Sequence, residues 1–189
     1  MGKQKIITFS GQARHGKDSS IEILKQLLKN NNKKVMHINY ADFVKYLAKQ
    51  YLNWNGSKDE QGRTILQQLG TEKVRTRFPN YWVDIVIGIA KIFENDYDYV
   101  LIGDCRFSNE IEAWEKEGYK VIPIHVERLN FDNGLTKEQK NHISETALNN
   151  YQFAEYIKAD CLETLRKQIE SKIIPLLARN KFEKINNFG

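Results

Sequence analysis

A glycine-rich segment near the N-terminus has the residue types and spacing of a phosphate-binding loop. Gly11 and Gly16 are followed by Lys17 in a G-x-x-x-x-G-K arrangement. Glycines let successive backbone N–H groups face a phosphate, and the lysine ammonium reaches the terminal phosphates of a nucleotide. The alternative is an ordinary corner between a strand and a helix. The predicted nucleotide-binding residues are Gly11, Ala13, Arg14, His15, Gly16, Lys17, Asp18 and Ser19.

The residue after this lysine departs from the common pattern. Asp18 stands where a Ser or Thr would bind magnesium directly through its hydroxyl. Asp18 or Ser19 must therefore serve the metal, if necessary through water. The sequence predicts a magnesium site at the start of the following helix.

A second group of chemically useful residues follows the apolar run at 100–103. A carboxylate such as Asp104, at the end of a strand beside a phosphate loop, orients magnesium. The guanidinium of Arg106 can hold a phosphate with paired N–H groups, and Asn109 and Glu110 can cap or line the same pocket. The alternatives are a helix N-cap for Asp104 and a surface ion pair for Arg106.

The segment 63–75 has the composition of a second ligand site. Arg75, four residues after Thr71, can hold a phosphate, and nearby Gln and Glu side chains can contact a base or a sugar. The alternative is a surface helix with Thr71 as its N-cap. Asp42, just after a predicted strand, is either a substrate contact or a helix cap.

A long polar stretch after the fourth predicted strand has the size of a lid. It begins at Arg128 and extends to the sequence His-Ile-Ser-Glu at 142–145. Lids that carry arginines close over a transferring phosphate and exclude water. The alternative is a surface loop that is longer than the usual connection.

The elements that must position these residues alternate between strands and helices. Apolar, β-branched runs predict strands at 5–10, 35–38, 99–103, 120–127 and 153–157. Helical spacing predicts helices at 19–30, 40–51, 63–77, 79–93, 109–117 and 162–177. Strands joined by helices of this length form a mainly parallel sheet with helices on both faces, which is an α/β fold. In such sheets ligands bind at the carboxyl ends of the strands, where the candidate residues lie.

Composition limits the function classes. The 189 residues suit one globular domain, and the longest apolar stretch, 83–93, is shorter than the roughly 20 residues of a membrane span. The N-terminus has no signal-peptide pattern, so we expect a cytoplasmic protein. The net charge of +5 favours polyanionic partners, either nucleic acid or small phosphorylated ligands. The basic residues form no dense block, which argues against a nucleic-acid-binding tail.

Together these segments resemble the bacteriophage-type deoxynucleoside monophosphate kinases. The resemblance lies in the Gly-Lys-Asp ending of the phosphate loop, in Tyr-Ala-Asp at 40–42, in 66–75 with Trp82 and Val83, in the Asp-x-Arg-Phe element at 104–110, and in 142–145. It covers nearly the whole chain. It implies a P-loop kinase fold with a mainly parallel five-stranded sheet and a single domain over 1–189. In that domain we expect a helical acceptor-binding region at 40–95, a lid at 128–143 and a flexible tail at 180–189.

The resemblance also implies an activity, the transfer of the γ-phosphate of ATP to a deoxynucleoside monophosphate with Mg²⁺ as cofactor. The residues that it places in catalysis are Lys17, Asp104, Arg106 and Arg128. The residues that it places at the metal are Asp18, Ser19 and Asp104. The expected substrate-binding residues are Asp42, Arg63, Gln68, Thr71, Glu72, Arg75, Trp82, Asn109 and Glu145.

We expect small nucleotides as partners, neither nucleic acid nor a membrane, and a location in the cytoplasm, that of the host if the chain is phage-encoded. Homodimer formation stays open. One competing interpretation is a kinase that resembles P-loop phosphomevalonate kinases, which share the Gly-Lys-Asp loop. Another is a nucleic-acid-binding NTPase. Base stacking on aromatic side chains favours the nucleotide acceptor, and the candidates are Tyr40, Phe43, Tyr51, Trp54 and Trp82.

Overall fold

The computed structural model describes residues 4–57 and 59–178. Its strands are β1 (Lys5–Ser10), β2 (Val35–His37), β3 (Tyr99–Ile102), β4 (Lys120–Arg128) and β5 (Glu155–Ala159). They form one sheet in the order β2-β3-β1-β4-β5, and every adjacent pair is parallel. The predicted α/β class and five-stranded parallel sheet are therefore confirmed. The predicted flexible tail at 180–189 lies outside the described residues.

Helices connect the strands. They are α1 (Lys17–Asn30), α2 (Tyr40–Tyr51), α3 (Glu60–Gln67), α4 (Tyr81–Ile92), α5 (Asn109–Lys116), α6 (Lys137–Asn141), α7 (Ile143–Thr146), α8 (Leu162–Gln168) and α9 (Ile174–Ala178). Two π-helical segments continue this pattern: Gln68–Arg75 follows α3 directly, and Ile169–Ile173 joins α8 to α9. Within the part of the chain that is described, no helix is long and apolar enough to cross a membrane.

Two apolar layers attach the helices to the sheet, one on each face. Alternate residues of a strand point to opposite faces, so Ile7 and Phe9 of β1 pack on one side and Ile6 packs on the other. Ile7 and Phe9 share a cluster with Ile21 of α1, and Ile6 shares one with Trp82 of α4. β1 is thus buried on both faces, and the glycine-rich loop begins from the central strand of the sheet.

The last strand begins later than predicted, at Glu155 rather than at 153. Ile157 and Ala159 are the residues of β5 that face the core. Phe153 instead packs against the rings of His125 and Tyr156, with centroids 5.1 and 5.5 Å away. Ring contacts with β4 and β5 therefore explain the apolar residue that the sequence pattern placed in the strand.

Two other predicted elements differ in kind. The helix predicted over 63–77 begins at Glu60 and becomes π-helical at Gln68. The predicted irregular stretch after β4 contains α6, where Thr136 and Gln139 cap the first turn reciprocally. Such a capping box supplies partners for the free N–H groups of a short helix.

Candidate active site

The loop between β1 and α1 has the backbone of a phosphate cradle. Gly11 has a φ of 134°, and a Cβ there would lie 2.1 Å from the carbonyl oxygen of Val126 in β4. Gly16, with a φ of 93°, is the N-cap residue of α1, and Arg14 has a left-handed φ of 65°. The N–H groups at the start of a helix have no intrahelical partner and attract anions. The loop therefore presents free donors where a phosphate is expected.

Lys17 extends back over this loop. Its ammonium donates hydrogen bonds to the carbonyl oxygens of Gly11 at 2.7 Å and Gln12 at 2.8 Å. Burial, together with the nearby Arg106 guanidinium, lowers the pKa of Lys17 to about 8. Desolvation disfavours the charged form of a lysine unless an anion compensates for it. The ammonium is therefore held in place, and a bound phosphate would stabilise its charge.

Asp104 joins the end of β3 to the start of α2. Its two carboxylate oxygens accept hydrogen bonds from the backbone N–H groups of Tyr40 at 3.1 Å and Ala41 at 2.8 Å. Burial raises the pKa of Asp104, and these two hydrogen bonds act in the opposite direction. The helix-capping interpretation is therefore correct in part, although the helix that Asp104 caps is α2 rather than the next helix in sequence.

Arg106 and Glu145 form an ion pair beside the phosphate loop. The Arg106 guanidinium also donates to the carbonyl oxygen of Ser144 at 2.9 Å. The second carboxylate oxygen of Glu145 accepts a hydrogen bond from the backbone N–H of Ala13 at 3.2 Å. The side chain of Glu145 is only 6% exposed, so this carboxylate lies inside the site.

Arg75 is held on several sides. Its guanidinium is ion-paired with Glu110, lies 4.1 Å from the ring centroid of Phe107, and donates weakly to Asn109 and Pro79 at 3.4 Å. Its Nε atom is buried and has no hydrogen-bond partner among the described residues. A buried donor without a partner is costly, which makes this edge of Arg75 suited to an anionic ligand.

One cavity of about 430 Å³ brings the two predicted halves of the site together. The predicted residues that line it are Ala13, Arg14, Lys17, Asp18, Arg63, Thr71, Arg75, Trp82, Asp104, Arg106 and Glu145. Thr71 lies inside a π-helical segment, so the interpretation of Thr71 as an N-cap is wrong. π-Helical turns interrupt helices frequently at functional sites.

The other predicted residues lie outside this cavity. Gly11 and His15 line a smaller cavity of about 240 Å³, which also touches Arg106 and Glu145. Asn109 contacts Arg75 instead. Those that line neither cavity are Gly16, Ser19, Asp42, Gln68, Glu72, Asn109 and Arg128.

Asp42 and Arg128 have structural partners. The Asp42 carboxylate accepts from the backbone N–H of Asn39, as part of a capping box at the start of α2, and pairs with Lys45. The cap alternative for Asp42 is therefore the one that the structure shows. The Arg128 guanidinium lies 4.1 Å from the ring centroid of Phe131. A role for Arg128 in catalysis stays a prediction.

Sequence reasoning missed Gln67, which lines the cavity together with Glu110. The signal for Gln67 was present: Arg63, Gln67, Thr71 and Arg75 are spaced four residues apart and so lie on one helical face. Gln68 is one position out of phase with that face. The pairing of Glu110 with Arg75 gave no comparable signal, because the two residues are 35 positions apart in the sequence.

Two carboxylates of the cavity fit a magnesium–nucleotide complex. Asp18 and Asp104 line the cavity, whereas Ser19 does not. In the described ranges, no group of three or more His, Cys, Asp or Glu side chains could hold a metal ion by itself. Mg²⁺ commonly binds through one or two carboxylates together with substrate phosphates and water, so a complete protein cage is not required.

Comparisons with known proteins agree with this geometry. A family model for deoxynucleotide monophosphate kinase matches residues 20–169. No curated protein matched the sequence. Among solved structures, the Mycobacterium tuberculosis APS kinase CysC in complex with AMPPNP and APS is similar, with a TM-score of 0.56 and 11% identity over 95% of this chain and 100% of that one.

TT1252 from Thermus thermophilus is similar as well, with a TM-score of 0.55 and 10% identity over 94% of this chain and 100% of that one. At such identities the likeness concerns the fold. The family model carries more information, because it matches most of the chain, from the first turn of α1 to the start of the π-helical segment after α8. The predicted resemblance to the deoxynucleotide kinases is confirmed. The chain belongs to the deoxynucleotide monophosphate kinase family and is a nucleotide kinase, a phosphotransferase.

Proposed function

We propose that the chain transfers the γ-phosphoryl group of Mg-ATP to the 5′-phosphate of deoxynucleoside monophosphates. The observation that carries this proposal is one cavity that is lined by Lys17 and by Ala13 and Arg14 of the phosphate loop together with Arg75, whose buried Nε has no partner among the described residues. Two sites for phosphate groups that open into one space can place a donor next to an acceptor. Positioning of this kind is the main requirement of phosphoryl transfer.

The donor phosphates belong at the loop. The N–H groups at the start of α1 and the ammonium of Lys17 supply positive potential there. Arg106 adds a guanidinium to the lining of the same cavity. Asp18 and Asp104 would hold the magnesium ion, which when bound supplies further neutralisation of phosphate charge.

The acceptor belongs among α2, α3 and the π-helical segment that follows. Arg75 would hold its phosphate. Apolar side chains of Val44 and Leu66 and the indole of Trp82 line the cavity beside the polar side chains of Arg63 and Gln67. An apolar surface with a few polar groups suits a base, which presents flat faces for stacking and polar edges for hydrogen bonds.

The reaction needs no covalent intermediate with the protein. An oxygen of the acceptor phosphate attacks the γ-phosphorus while the bond to the β-bridging oxygen of ATP breaks, which gives ADP and the nucleoside diphosphate. Lys17 and Arg106 stabilise the charge on the transferring group, and Arg75 aligns the acceptor. The chain therefore acts by orientation and electrostatics.

The segment at 128–143 is placed to exclude water. Asn133 is 2% exposed, its side-chain amide donates to Gln12 at 3.1 Å, and its backbone carbonyl accepts from Arg14 at 3.0 Å. The segment therefore packs directly on the phosphate loop. A cover of this kind keeps water from taking the phosphoryl group, and we assign the lid role to it, with Arg128 at its start.

A coupled assay of ADP release tests the proposal. Mg-ATP is offered with each deoxynucleoside and ribonucleoside monophosphate and with phosphomevalonate, and Lys17→Ala is the control. We expect acceptor-dependent turnover with one or more deoxynucleotides and a loss of several orders of magnitude in kcat for Lys17→Ala, without unfolding. Turnover with phosphomevalonate alone would contradict the nucleotide acceptor. ATP hydrolysis that is independent of every acceptor, or stimulated by DNA, would indicate an NTPase instead.

A further inference from the structure

Glu110, in the first turn of α5, contacts two of the arginines that line the cavity, Arg75 through its side chain and Arg106 through its backbone. One carboxylate oxygen is paired with Arg75, and the other accepts hydrogen bonds from the backbone N–H groups of Arg106 at 2.6 Å and Phe107 at 3.1 Å. We propose that Glu110 is a positioning residue that holds Arg75 and the Arg106 turn in one arrangement for phosphoryl transfer. This inference rests on the proposed function.

The burial of this carboxylate favours a functional interpretation. The side chain of Glu110 is 2% exposed and that of Arg75 is 13% exposed. A buried ion pair contributes little net stability compared with apolar residues of the same size, because both charges lose their hydration. Its clearest effect is geometric, since each oxygen of Glu110 has a different element as its partner: the π-helical segment on one side and the turn after β3 on the other.

The backbone of Glu110 is anchored as well. The hydroxyl of Tyr40 donates to its carbonyl oxygen at 2.8 Å, and the indole N–H of Trp114 donates to the Tyr40 hydroxyl at 2.9 Å. These three residues are buried. The carboxylate therefore extends from a rigid point, and it can transmit that rigidity to the guanidinium of Arg75.

Phe107 completes the arrangement. Its backbone N–H is bonded to Glu110, and its ring covers the face of the Arg75 guanidinium at 4.1 Å. Arg75 is thus held by an ion pair at one edge and by a ring on one face, which leaves its Nε edge for the acceptor. Loss of the Glu110 charge would release the guanidinium and the Arg106 turn together.

Glutamine is the informative substitution. Its side chain has the size of glutamate, but it has one acceptor oxygen and one amide donor, so it cannot accept hydrogen bonds at both ends. The NH2 group of the glutamine then faces either Arg75 or the backbone N–H groups of the Arg106 turn, and both of these are donors themselves. We expect Glu110→Gln to raise the acceptor KM roughly tenfold or more and to lower kcat, because a hydrogen bond to a charged group is lost. The KM for ATP should change less than the acceptor KM, because Glu110 bonds only the backbone of Arg106 in the donor half, whereas it is paired directly with the guanidinium of Arg75.

The experiment is a double-mutant cycle of Glu110→Gln with Arg75→Ala, read as the acceptor KM and the ATP KM separately. If Glu110 acts through Arg75, Glu110→Gln should raise the acceptor KM in the wild-type background. In the Arg75→Ala background it should change the acceptor KM by less than about twofold. A purely structural residue would lower activity equally in both backgrounds. Glu115→Gln, an exposed position on the same helix, is the matched control and should behave as wild type.

Thermal unfolding of each variant distinguishes loss of the fold from displacement of the Arg75 guanidinium in a folded protein. If Glu110→Gln does not fold, Glu110→Asp replaces it in the same cycle, because the shorter carboxylate keeps its charge but cannot span both partners. Equal effects in both backgrounds, or an unchanged acceptor KM, would overturn this inference and leave the proposed function intact. A wild-type protein that phosphorylates no monophosphate would overturn both.

Discussion

The Glu145 carboxylate accepts a hydrogen bond from the backbone N–H of Ala13, 3.2 Å away in the phosphate loop. Its other oxygen is paired with the Arg106 guanidinium. In our proposal both donors serve ATP, so a carboxylate of the protein itself engages groups that a phosphate would use. ATP must displace Glu145 from at least one of them.

This relationship predicts the effect of removing the charge of Glu145. In Glu145→Gln, less negative charge faces the incoming phosphates, and we expect tighter binding of ATP to the free protein, by a few-fold. We expect kcat to fall at the same time, because Arg106 loses its partner. Isothermal titration with ATP measures the first effect. Glu138→Gln on the exposed face of α6 is the control, and weaker ATP binding by Glu145→Gln would show that the carboxylate helps to hold the nucleotide.

The lowered pKa of Lys17 predicts a pH dependence of ATP binding. Burial brings this pKa to about 8 in the free protein, compared with 10.5 for an ordinary lysine. Above pH 8 the ammonium loses its proton and its attraction for phosphate, so the Kd for ATP should rise between pH 7.5 and 9.5. Lys17→Met should remove this dependence, and a Kd that is flat with pH in the wild type would contradict the assignment.

The lowered pKa of Lys17 also affects the stability of the protein. As pH rises, the affinity for ATP should fall, whereas the contribution of Lys17 to the free energy of unfolding should increase. Between pH 8 and 10.5 the unfolded chain keeps the proton of this lysine while the folded protein has released it. The unfolded state then binds more protons, so the contribution of Lys17 to the free energy of unfolding rises with pH in this window. Chemical denaturation of wild type and Lys17→Met at pH 7.5 and 9.5, without nucleotide, isolates that contribution. We expect the wild type to gain stability relative to the variant as pH rises.

The close approach of Gly11 to β4 predicts a severe cost for a single methyl group. In Gly11→Ala the new Cβ would lie 2.1 Å from the Val126 carbonyl oxygen, at a φ of 134° that an alanine rarely adopts. We expect a loss of roughly 2–4 kcal/mol in the free energy of unfolding, and weaker ATP binding.

Gly88→Ala is the matched control for that substitution. Gly88 lies on the exposed side of α4, and apart from its chain neighbours and the backbone of its own helix, no described atom lies within 4 Å of the position of its new Cβ. Because alanine favours a helix over glycine, we expect this variant to gain about 0.5–1 kcal/mol. Urea denaturation compares the two variants, and similar losses in both would indicate that contact with β4 is not the cause.

The phase of α3 predicts which glutamine contacts the acceptor. Gln67 lines the cavity and Gln68 does not. Gln67→Ala should raise the acceptor KM and change the ranking of the four deoxynucleotides, because a polar group that faces the base is lost. Gln68→Ala should leave both unchanged. The opposite result would place the acceptor on a different face of the helix.

Much of the fold follows from local patterns, and much of the site does not. The apolar runs of β1 and β3 and the glycine spacing at 11–16 predict a parallel sheet with a phosphate loop, because these signals depend on neighbours in the sequence. The contacts of Glu110 and Asp104 join segments 35 and more than 60 residues apart. The packing of the folded chain determines which of these distant residues meet, and a single sequence does not reveal that packing. Gln67 is the opposite case: its four-residue spacing from Arg63 and Thr71 is a local signal for a place on the cavity side, where Gln68 does not lie.

The hydrogen bonds of Asp104 to the first turn of α2 connect the donor half of the cavity to the helices of the acceptor half. Two hydrogen bonds to successive backbone N–H groups fix the first turn of α2 against the end of β3. Because we assign the same carboxylate to the metal, the metal site and the anchoring of α2 would depend on one side chain.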